Sequence, residues 1–344
     1  MKRISILLIV TLIAVVALPL VSVQAQDGGL LAKVRERGNL ICGINGGIPG
    51  FGFVDTANNT VSGFDTDFCR ALAAAIFGDA TKVEFKAVAA ADRFTAIGSG
   101  EIDVLIRNTT FTFGRDAQQG AEFGPVIFYD GMSIMVRTSD NITSLEGLEG
   151  ATVCAIQGTT TAQNVADATS GKVKVEVLTF ENIDQVIDGF VQTRCDAVAS
   201  DQSQLRAKKA TSEKGGEWTI LPNTLSKEPL APAWKAGDAQ WGDLVRWVVY
   251  ATIIAEEYGV TQGNVESQLT NADLNPEAKR LLGVEGELYK VLELDQAWAV
   301  NVIKAVGNYG EIFDRNLTAA PLSFERGINA LWRNGGLIYA PPYR

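Results

Sequence analysis

Residues 100–115, GEIDVLIRNTTFTFGR, decide the fold of this chain. The apolar run at residues 102–106 has the length and composition of a strand covered on both faces. Four polar residues, 107–110, follow at once, and in open α/β sheets ligands bind where the strands end. Arg115, near the start of the next predicted helix, carries a planar set of donors that matches a carboxylate. The stretch predicts a ligand site at a strand end, or else a surface loop with a solvated arginine.

Residues 150–161, GATVCAIQGTTT, repeat this order of apolar strand and polar loop. A helix is predicted from about 161 to 168, which puts Thr159 and Thr160 near its N-terminus. Free backbone N–H groups and the helix dipole attract an anion at that position. The alternative is an ordinary threonine cap of the helix.

A third strand, in CDAVASDQ at residues 195–202, ends at Asp201. Its carboxylate can bind a cation, or it can cap the helix that is predicted to begin near Gln202. An arginine, a helix N-terminus and an aspartate together suit one zwitterion. The first two would bind an α-carboxylate, and the aspartate would bind an α-ammonium group.

The N-terminus has the pattern of a cleavable secretory signal. Lys2 and Arg3 precede an apolar run at residues 4–20, and residues 23–25, VQA, fit the small-residue cleavage rule. Cleavage after Ala25 would leave a chain from position 26 to position 344, a length that suits two domains. The alternative is a membrane anchor, for which the apolar run is of marginal length.

Composition excludes several classes of function. Without Lys2 and Arg3 the chain has 30 − 2 = 28 basic residues against 40 acidic ones, which argues against nucleic acid and anionic membrane surfaces as partners. The absence of histidine rules out Ser-His-Asp and Cys-His catalysis and HExxH metal sites. The sequence has no GxxxxGK(S/T) motif and no GxGxxG between a strand and a helix. We therefore expect neither a cofactor nor a metal.

The chain contains four cysteines, Cys42, Cys69, Cys154 and Cys195. An even number in an exported chain suggests two disulfides, for which three pairings are possible. The alternative is a set of buried free thiols. No CxxC pair is present, so the spacing does not indicate zinc.

Strands and helices alternate through residues 40–106 and again through 152–200, which predicts two lobes of parallel α/β units. The first strand, 40–44, leads into a glycine-rich loop at 45–53. The expected crossings between the lobes lie at residues 136–140, after a strand at 131–136, and at 230–236. The helical chain beyond 241 is expected to pack back on the first lobe. Clefts between domains are favoured sites for small molecules.

Seven segments of the chain resemble the periplasmic amino-acid-binding proteins of ABC transporters, the family-3 extracellular solute-binding proteins. They are most similar to the general L-amino-acid-binding branch, and the resemblance runs from about residue 30 to 344. The segments are GFDTDFCRALAAAIFGD (63–79), DRFTAI (92–97), SGEIDVLIRNTT (99–110), QGTTT (157–161), RCDAVASDQS (194–203), SKEPLAP (226–232) and GGLIYAPPYR (335–344).

This resemblance implies a two-lobed clamshell of type II, in which each lobe is a mostly parallel α/β sheet flanked by helices. The first lobe would comprise residues 26–137 and 233–344, with a helical C-terminal extension, and the second lobe would comprise residues 138–232. The protein would be a periplasmic monomer without enzymatic activity. It would close on a free L-amino acid, with broad specificity, and deliver it to the permease subunits of an ABC transporter. Disulfides Cys42–Cys69 and Cys154–Cys195 would each stay within one lobe.

The resemblance also implies ligand roles for individual residues. Arg115 would bind the α-carboxylate, Thr110 would add a hydroxyl or amide, and Thr159 and Thr160 would add backbone N–H groups. Asp201 would receive the α-ammonium group. The full expected ligand set is Asn45, Ile48, Phe51, Asn108, Thr110, Arg115, Thr159, Thr160 and Asp201.

The residues alone, without the resemblance, predict an exported two-lobed α/β protein that binds a small zwitterion. The alternative is an exported dehydratase-like enzyme on the same fold, which would use carboxylates or Lys227 and Glu228. Phe111, where the branch commonly has tryptophan, and the loop at 46–52 depart from the family pattern. The resemblance therefore leaves the side-chain preference of the site open.

Overall fold

The structure, a computed structural model, describes residues 29–344. The predicted signal segment, residues 1–25, lies outside the described residues. Among residues 29–344, no helix has both the length and the apolar character that a membrane crossing requires.

The first lobe begins with a mixed α/β unit. Its elements, in chain order, are α1 (Leu30–Arg37), β1 (Leu40–Ile44), β2 (Gly47–Ile48), β3 (Gly52–Asp55), β4 (Thr60–Ser62), α2 (Phe64–Phe77), β5 (Val83–Ala87), α3 (Arg93–Ser99), β6 (Val104–Leu105), α4 (Phe113–Gln118) and β7 (Ala121–Phe123). β1 lies between β5 and β6 and is parallel to both. The carboxyl ends of these three strands therefore meet at one edge of the sheet.

The chain then continues into the second lobe. The elements are β8 (Phe128–Asp130), β9 (Met132–Arg137), β10 (Thr152–Ile156), α5 (Thr161–Thr169), β11 (Glu176–Phe180), α6 (Ile183–Val191), β12 (Ala197–Asp201), α7 (Gln202–Thr211) and β13 (Trp218–Ile220). The strand order of this sheet is β11-β10-β12-β9-β13. Along β9, Ile134 and Val136 pack into one apolar cluster and Met135 into another, so both faces of the sheet are covered.

Two antiparallel strands connect the lobes. β8 pairs with β14 (Glu228–Leu230), so the outgoing and returning chains run side by side. The returning chain then adds β15 (Ala233–Lys235) to the first sheet, antiparallel to β6 and β7. The first sheet thus has the order β5-β1-β6-β15-β7, in which β15 runs antiparallel to both of its neighbours.

The expected first crossing, at residues 136–140 with the first lobe extending to 137, is wrong. β9 pairs with β12 and β13 of the second sheet, so the chain has already crossed before Met132. The apolar pattern locates this strand closely, but it is the same whichever sheet the strand joins. Only the pairing partners, which are distant in sequence, decide between the two sheets.

The C-terminal region packs on the first lobe. Its helices are α8 (Ala239–Glu257), α9 (Val265–Gln268), α10 (Pro276–Leu281), α11 (Trp298–Val306) and α12 (Tyr309–Phe313). α11 lies against α2 and α8, and one apolar core joins these helices to β1. Trp241 and Trp298 are completely buried in it. This packing gives the first lobe a larger core than the second.

Each lobe contains one disulfide. Cys42 on β1 is joined to Cys69 on α2, and Cys154 on β10 is joined to Cys195, just before β12. No described cysteine is free. Since neither bridge links the two lobes, the disulfides constrain each lobe without restricting their relative movement.

Candidate functional site

A cavity lies between the lobes at the carboxyl ends of β1, β6, β10 and β12. The residues that line it are Asn45, Ala90, Arg93, Arg107, Asn108, Thr110, Arg115, Ile156, Thr159, Thr160, Thr161, Ser200, Asp201 and Gln204. Seven residues of the expected ligand set are among them: Asn45, Asn108, Thr110, Arg115, Thr159, Thr160 and Asp201. Side chains that are far apart in the sequence, from Asn45 to Gln204, thus meet in one space.

Ile48 and Phe51, the other two residues of that set, do not line the cavity. Both are fully buried, and Phe51 packs edge-on against Phe64 and Phe128 in the core of the first lobe. Ile48 belongs to a small antiparallel sheet of β2, β3 and β4, and Phe51 lies in the turn between β2 and β3. The lining of the cavity therefore gives no support to the prediction that they contact the ligand.

Asn108 ties the first-lobe loop to the second lobe. Its left-handed backbone, with φ of 44°, turns the chain after β6, and asparagine tolerates this conformation better than most residues. The N–H of Asn108 donates to Asp65 Oδ2 at 2.8 Å, and Asn45 Nδ2 donates to Asn108 Oδ1 at 2.9 Å. Asn108 Nδ2 in turn donates to Asp201 Oδ2 at 3.2 Å, across the cleft.

Arg115 is held in place on the first turn of α4. Thr112 caps this helix by accepting a hydrogen bond from the N–H of Arg115. The guanidinium donates from Nη1 to the carbonyl oxygen of Thr110 at 2.8 Å and lies over the ring of Phe94. Burial lowers the pKa of Arg115, which means that an anion in the cavity would stabilise its charged form.

The N-terminus of α5 contributes Thr159, Thr160 and Thr161 to the cavity wall. Thr160 occupies the capping position, but its side chain makes no cap hydrogen bond. The Thr160 hydroxyl donates to Glu228 Oε2 instead, and the Thr159 hydroxyl donates to the carbonyl oxygen of Ile156. Thr160 is therefore not an ordinary threonine cap. The Thr159 hydroxyl accepts from the N–H of Thr161 at 3.3 Å, and the other free N–H groups of the helix end can donate to an anion.

Asp201 lies at the end of β12, directly before α7, and its side chain does not cap this helix. Its carboxylate is buried and accepts from Asn108. Burial, followed by the nearby charges of Asp130 and Glu228, raises the pKa of Asp201 well above its usual range. A cation in the cavity would stabilise the ionised form. The arrangement thus offers an anion site and a cation site within one cavity.

Glu228 lies on β14, one of the two strands that connect the lobes, and its carboxylate accepts hydrogen bonds from both lobes. Its Oε2 accepts hydrogen bonds from Thr110 of the first lobe at 2.5 Å and from Thr160 of the second at 3.2 Å. Its Oε1 accepts from Asn164 and Ser226. The Thr110 hydroxyl, expected to contact the ligand, thus already donates to this carboxylate. The sequence analysis considered Glu228 only as a catalytic candidate.

The ligand set expected from the sequence omitted two arginines that line the cavity. Arg93 donates from Nε to the carbonyl oxygen of Ala90 at 2.7 Å and from Nη2 to that of Gly158 in the second lobe. Arg107 is buried two residues after the end of β6. Its position as the first polar residue after the apolar run was the signal, but a pattern does not tell which side chains of a loop turn inward.

The lobes approach each other closely at Gly158. Its φ is +71°, and a Cβ at this position would lie 2.6 Å from the Cα of Ala91 in the first lobe. Glycine is the residue that adopts this backbone at little cost. Both the local turn and the contact between the lobes therefore require glycine here.

Asp130, at the end of β8, one of the two strands that connect the lobes, is a partly buried acid. Its Oδ1 accepts from the N–H of Gly131 and its Oδ2 from that of Ser203. Burial raises the pKa of Asp130 from 3.8 to about 6. The folded protein therefore binds a proton on Asp130 more tightly than the unfolded chain does. Ionisation of Asp130 for this reason lowers the free energy of unfolding. The cost is absent below pH 3.8 and is complete above about pH 6.

Replacing Asp130 with asparagine changes the free energy of unfolding, and we expect this change to be about 1–3 kcal/mol more favourable at pH 7 than at pH 4. The variant removes a charge that the folded state disfavours only at the higher pH. Denaturant unfolding of both proteins at the two pH values measures the difference. Asp188→Asn, at an exposed position on α6, is the control. An equal effect of Asp130→Asn at both pH values would contradict the assignment.

Comparison with known proteins places these features in context. The family model of bacterial extracellular solute-binding proteins, family 3, matches residues 40–208. The general L-amino acid-binding periplasmic protein AapJ of Rhizobium johnstonii is 46% identical over 328 residues, which cover 94% of this chain and 95% of that protein. The glutamate/glutamine/aspartate/asparagine-binding protein BztA of Rhodobacter capsulatus is 44% identical over 335 residues, with coverage of 96% and 97%.

A solved structure shows the same architecture. The periplasmic binding protein of an ABC transporter from Brucella ovis, with glutathione bound, is 45% identical and superimposes with a TM-score of 0.87. The match covers 91% of this chain and 99% of that chain. These comparisons confirm the family resemblance indicated by the sequence motifs, and they confirm the predicted two-lobed fold of type II.

Proposed function

The chain belongs to family 3 of the bacterial extracellular solute-binding proteins, and we propose that it binds free L-amino acids between its lobes for uptake. In this proposal the protein acts in the periplasm as the substrate-binding component of an ABC transporter. It closes on amino acids of more than one kind and delivers them to the permease subunits in the membrane. It acts as a monomer and without catalysis.

One observation carries the proposal: the cavity presents Arg115 from one lobe and Asp201 from the other. A guanidinium matches a carboxylate, and the N-terminus of α5 adds donors on the same side. The buried Asp201 carboxylate matches an ammonium group. An α-amino acid carries both charges on one carbon, so a single ligand would bridge the lobes and favour their closure.

The names of the relatives support the amino-acid class. AapJ is named for general L-amino acids and BztA for glutamate, glutamine, aspartate and asparagine. Both align over more than nine-tenths of this chain. The periplasmic names of AapJ and of the Brucella ovis protein support the proposed compartment.

The alternative of a dehydratase-like enzyme finds no support at its own candidate residues. Lys227 is exposed and is not among the residues that line the cavity. Glu228 accepts four hydrogen bonds from neighbouring side chains, which fits a structural carboxylate better than a general base that must exchange protons.

Binding of the twenty L-amino acids to the purified protein, after unfolding and refolding to remove retained ligand, tests the proposal. We expect several of them to raise the melting temperature, and D-enantiomers to do so far less. Chromatography of the incubated ligands should recover them unchanged. Absence of any shift would reject the amino-acid class, and conversion of a ligand would favour the enzyme.

Gly158→Ala is expected to weaken amino-acid binding by about tenfold or more, because the new methyl group meets the Ala91 backbone only when the lobes close. The matched control is Gly150→Ala, which has a similar φ of +77° but no heavy atom within 4 Å. Each variant should lose about 1–2 kcal/mol of stability from the left-handed backbone. Calorimetry that found equal affinities for the two variants would contradict the contact.

A further inference from the structure

Arg107 stands apart from the other two arginines of the cavity. Its side chain is 5% exposed, and its Nε is buried without a hydrogen-bond partner among residues 29–344. Arg93 and Arg115, by contrast, donate to backbone carbonyl oxygens of Ala90 and Thr110. A buried donor without a partner costs free energy, so a ligand atom that accepts from Arg107 would remove a cost that the protein itself leaves in place.

The charge of Arg107 is retained in this position. Burial lowers its pKa only to about 10, and the nearby carboxylate of Asp65 acts in the opposite direction. The Oδ2 atom of Asp65 accepts from the backbone of Asn108. At neutral pH the guanidinium is therefore a charged donor at the wall of the cavity.

Arg107 also marks the junction of two cavities. A second cavity adjoins the first and shares Asn45, Ala90, Arg107 and Ile156 with it. It runs between the residues that follow β5 in the first lobe and the start of α6 in the second. A ligand bound by Arg115 and Asp201 would fill the first cavity with its α-carbon groups, and its side chain can enter the second past Arg107.

We propose that Arg107 is the specificity-determining residue of this site and that it binds the side-chain carboxylate of acidic L-amino acids. This proposal rests on the proposed function and gives it a preferred substrate class. Beyond the shared residues, Glu181 lines the second cavity and would repel a ligand carboxylate. A negatively charged side chain would therefore bind Arg107, at the junction of the two cavities. Aspartate and glutamate have side chains short enough to end near it.

The test compares L-glutamate with L-norvaline, whose side chain ends in a methyl group and carries no charge. Calorimetry of the refolded wild type should give tighter binding of glutamate. In Arg107→Met, which keeps the length but removes every donor, the ratio of glutamate to norvaline affinity should fall by about 10- to 100-fold. Arg107→Lys should retain part of the preference, because it keeps a charge but not the planar set of donors.

A structural role for Arg107 would weaken both ligands by the same factor and leave the ratio unchanged, which would overturn the inference. Equal binding of the two ligands by the wild type, or a preference for norvaline, would overturn it as well. If Arg107→Met fails to fold, the double variant Asp65→Asn, Arg107→Met removes both charges and permits the same comparison. If the wild type bound neither these two ligands nor any other amino acid, the proposed function itself would be rejected.

Discussion

Replacing Arg115 with alanine is expected to weaken amino-acid binding by about two orders of magnitude or more. A hydrogen bond to a charged group contributes about 1.5–3 kcal/mol, and an unpaired buried carboxylate costs more. Arg115→Lys should restore little of the loss, because an ammonium group cannot reproduce the planar pair of donors. Calorimetry of the refolded proteins measures the change.

The same substitution should affect folding much less. The one described hydrogen bond from the Arg115 guanidinium runs to the backbone of Thr110, within the same loop. Thermal unfolding should therefore differ little from that of the wild type. Arg206→Ala, which removes an exposed arginine of α7 that does not line the cavity, serves as the control for lost positive charge. Near-normal affinity of Arg115→Ala would remove this residue from the site.

Asp201→Asn is expected to weaken every α-amino acid by a similar and large factor, because all of them share the ammonium group. A charged pair that loses one buried partner costs about 3–5 kcal/mol, so a loss of at least a hundredfold is expected. The ranking of the amino acids should barely change. Calorimetry with ligands of different side chains measures both quantities.

The same ion pair can be tested by removing the ammonium group from the ligand. A des-amino analogue should bind the wild type poorly, because closure would leave Asp201 buried without a cation. It should lose less, or even gain, in Asp201→Asn, and the non-additivity of this cycle measures the interaction. If Asp201 had only a structural role, the ratio of amino-acid to analogue affinity would be the same in both proteins. That result would remove the cation site from the second lobe.

Regular elements near the cleft could be predicted well from local sequence. The strands at 40–44 and 152–156 have the predicted bounds, because apolar runs flanked by glycine leave little freedom. The alternation of valines at positions 173, 175 and 177 predicts a strand at 173–178, but the strand begins later, at Glu176. The N–H of Val173 donates to the carbonyl oxygen of Thr169. The first residues of the predicted strand therefore belong to the turn that follows α5.

Features that depend on distant partners were harder to predict. The lobe to which β9 belongs is decided by its pairing with β12, which lies far along the chain beyond β10, α5, β11 and α6. Phe51 is buried by packing against Phe64 and Phe128, which the glycine-rich sequence around it does not indicate. Polar residues at strand ends, such as Asp201, were identified because the carboxyl edge of a parallel sheet gathers them whatever the details of packing.

A crystal structure of the protein with a bound L-amino acid tests the central claim most directly, since the claim is a specific orientation of one ligand between the lobes. The α-carboxylate should lie about 3 Å from the Arg115 guanidinium, facing the N-terminus of α5. The α-ammonium group should lie about 3 Å from the Asp201 carboxylate. A ligand bound outside this cavity, or one whose ammonium group has no contact with Asp201, would contradict the account.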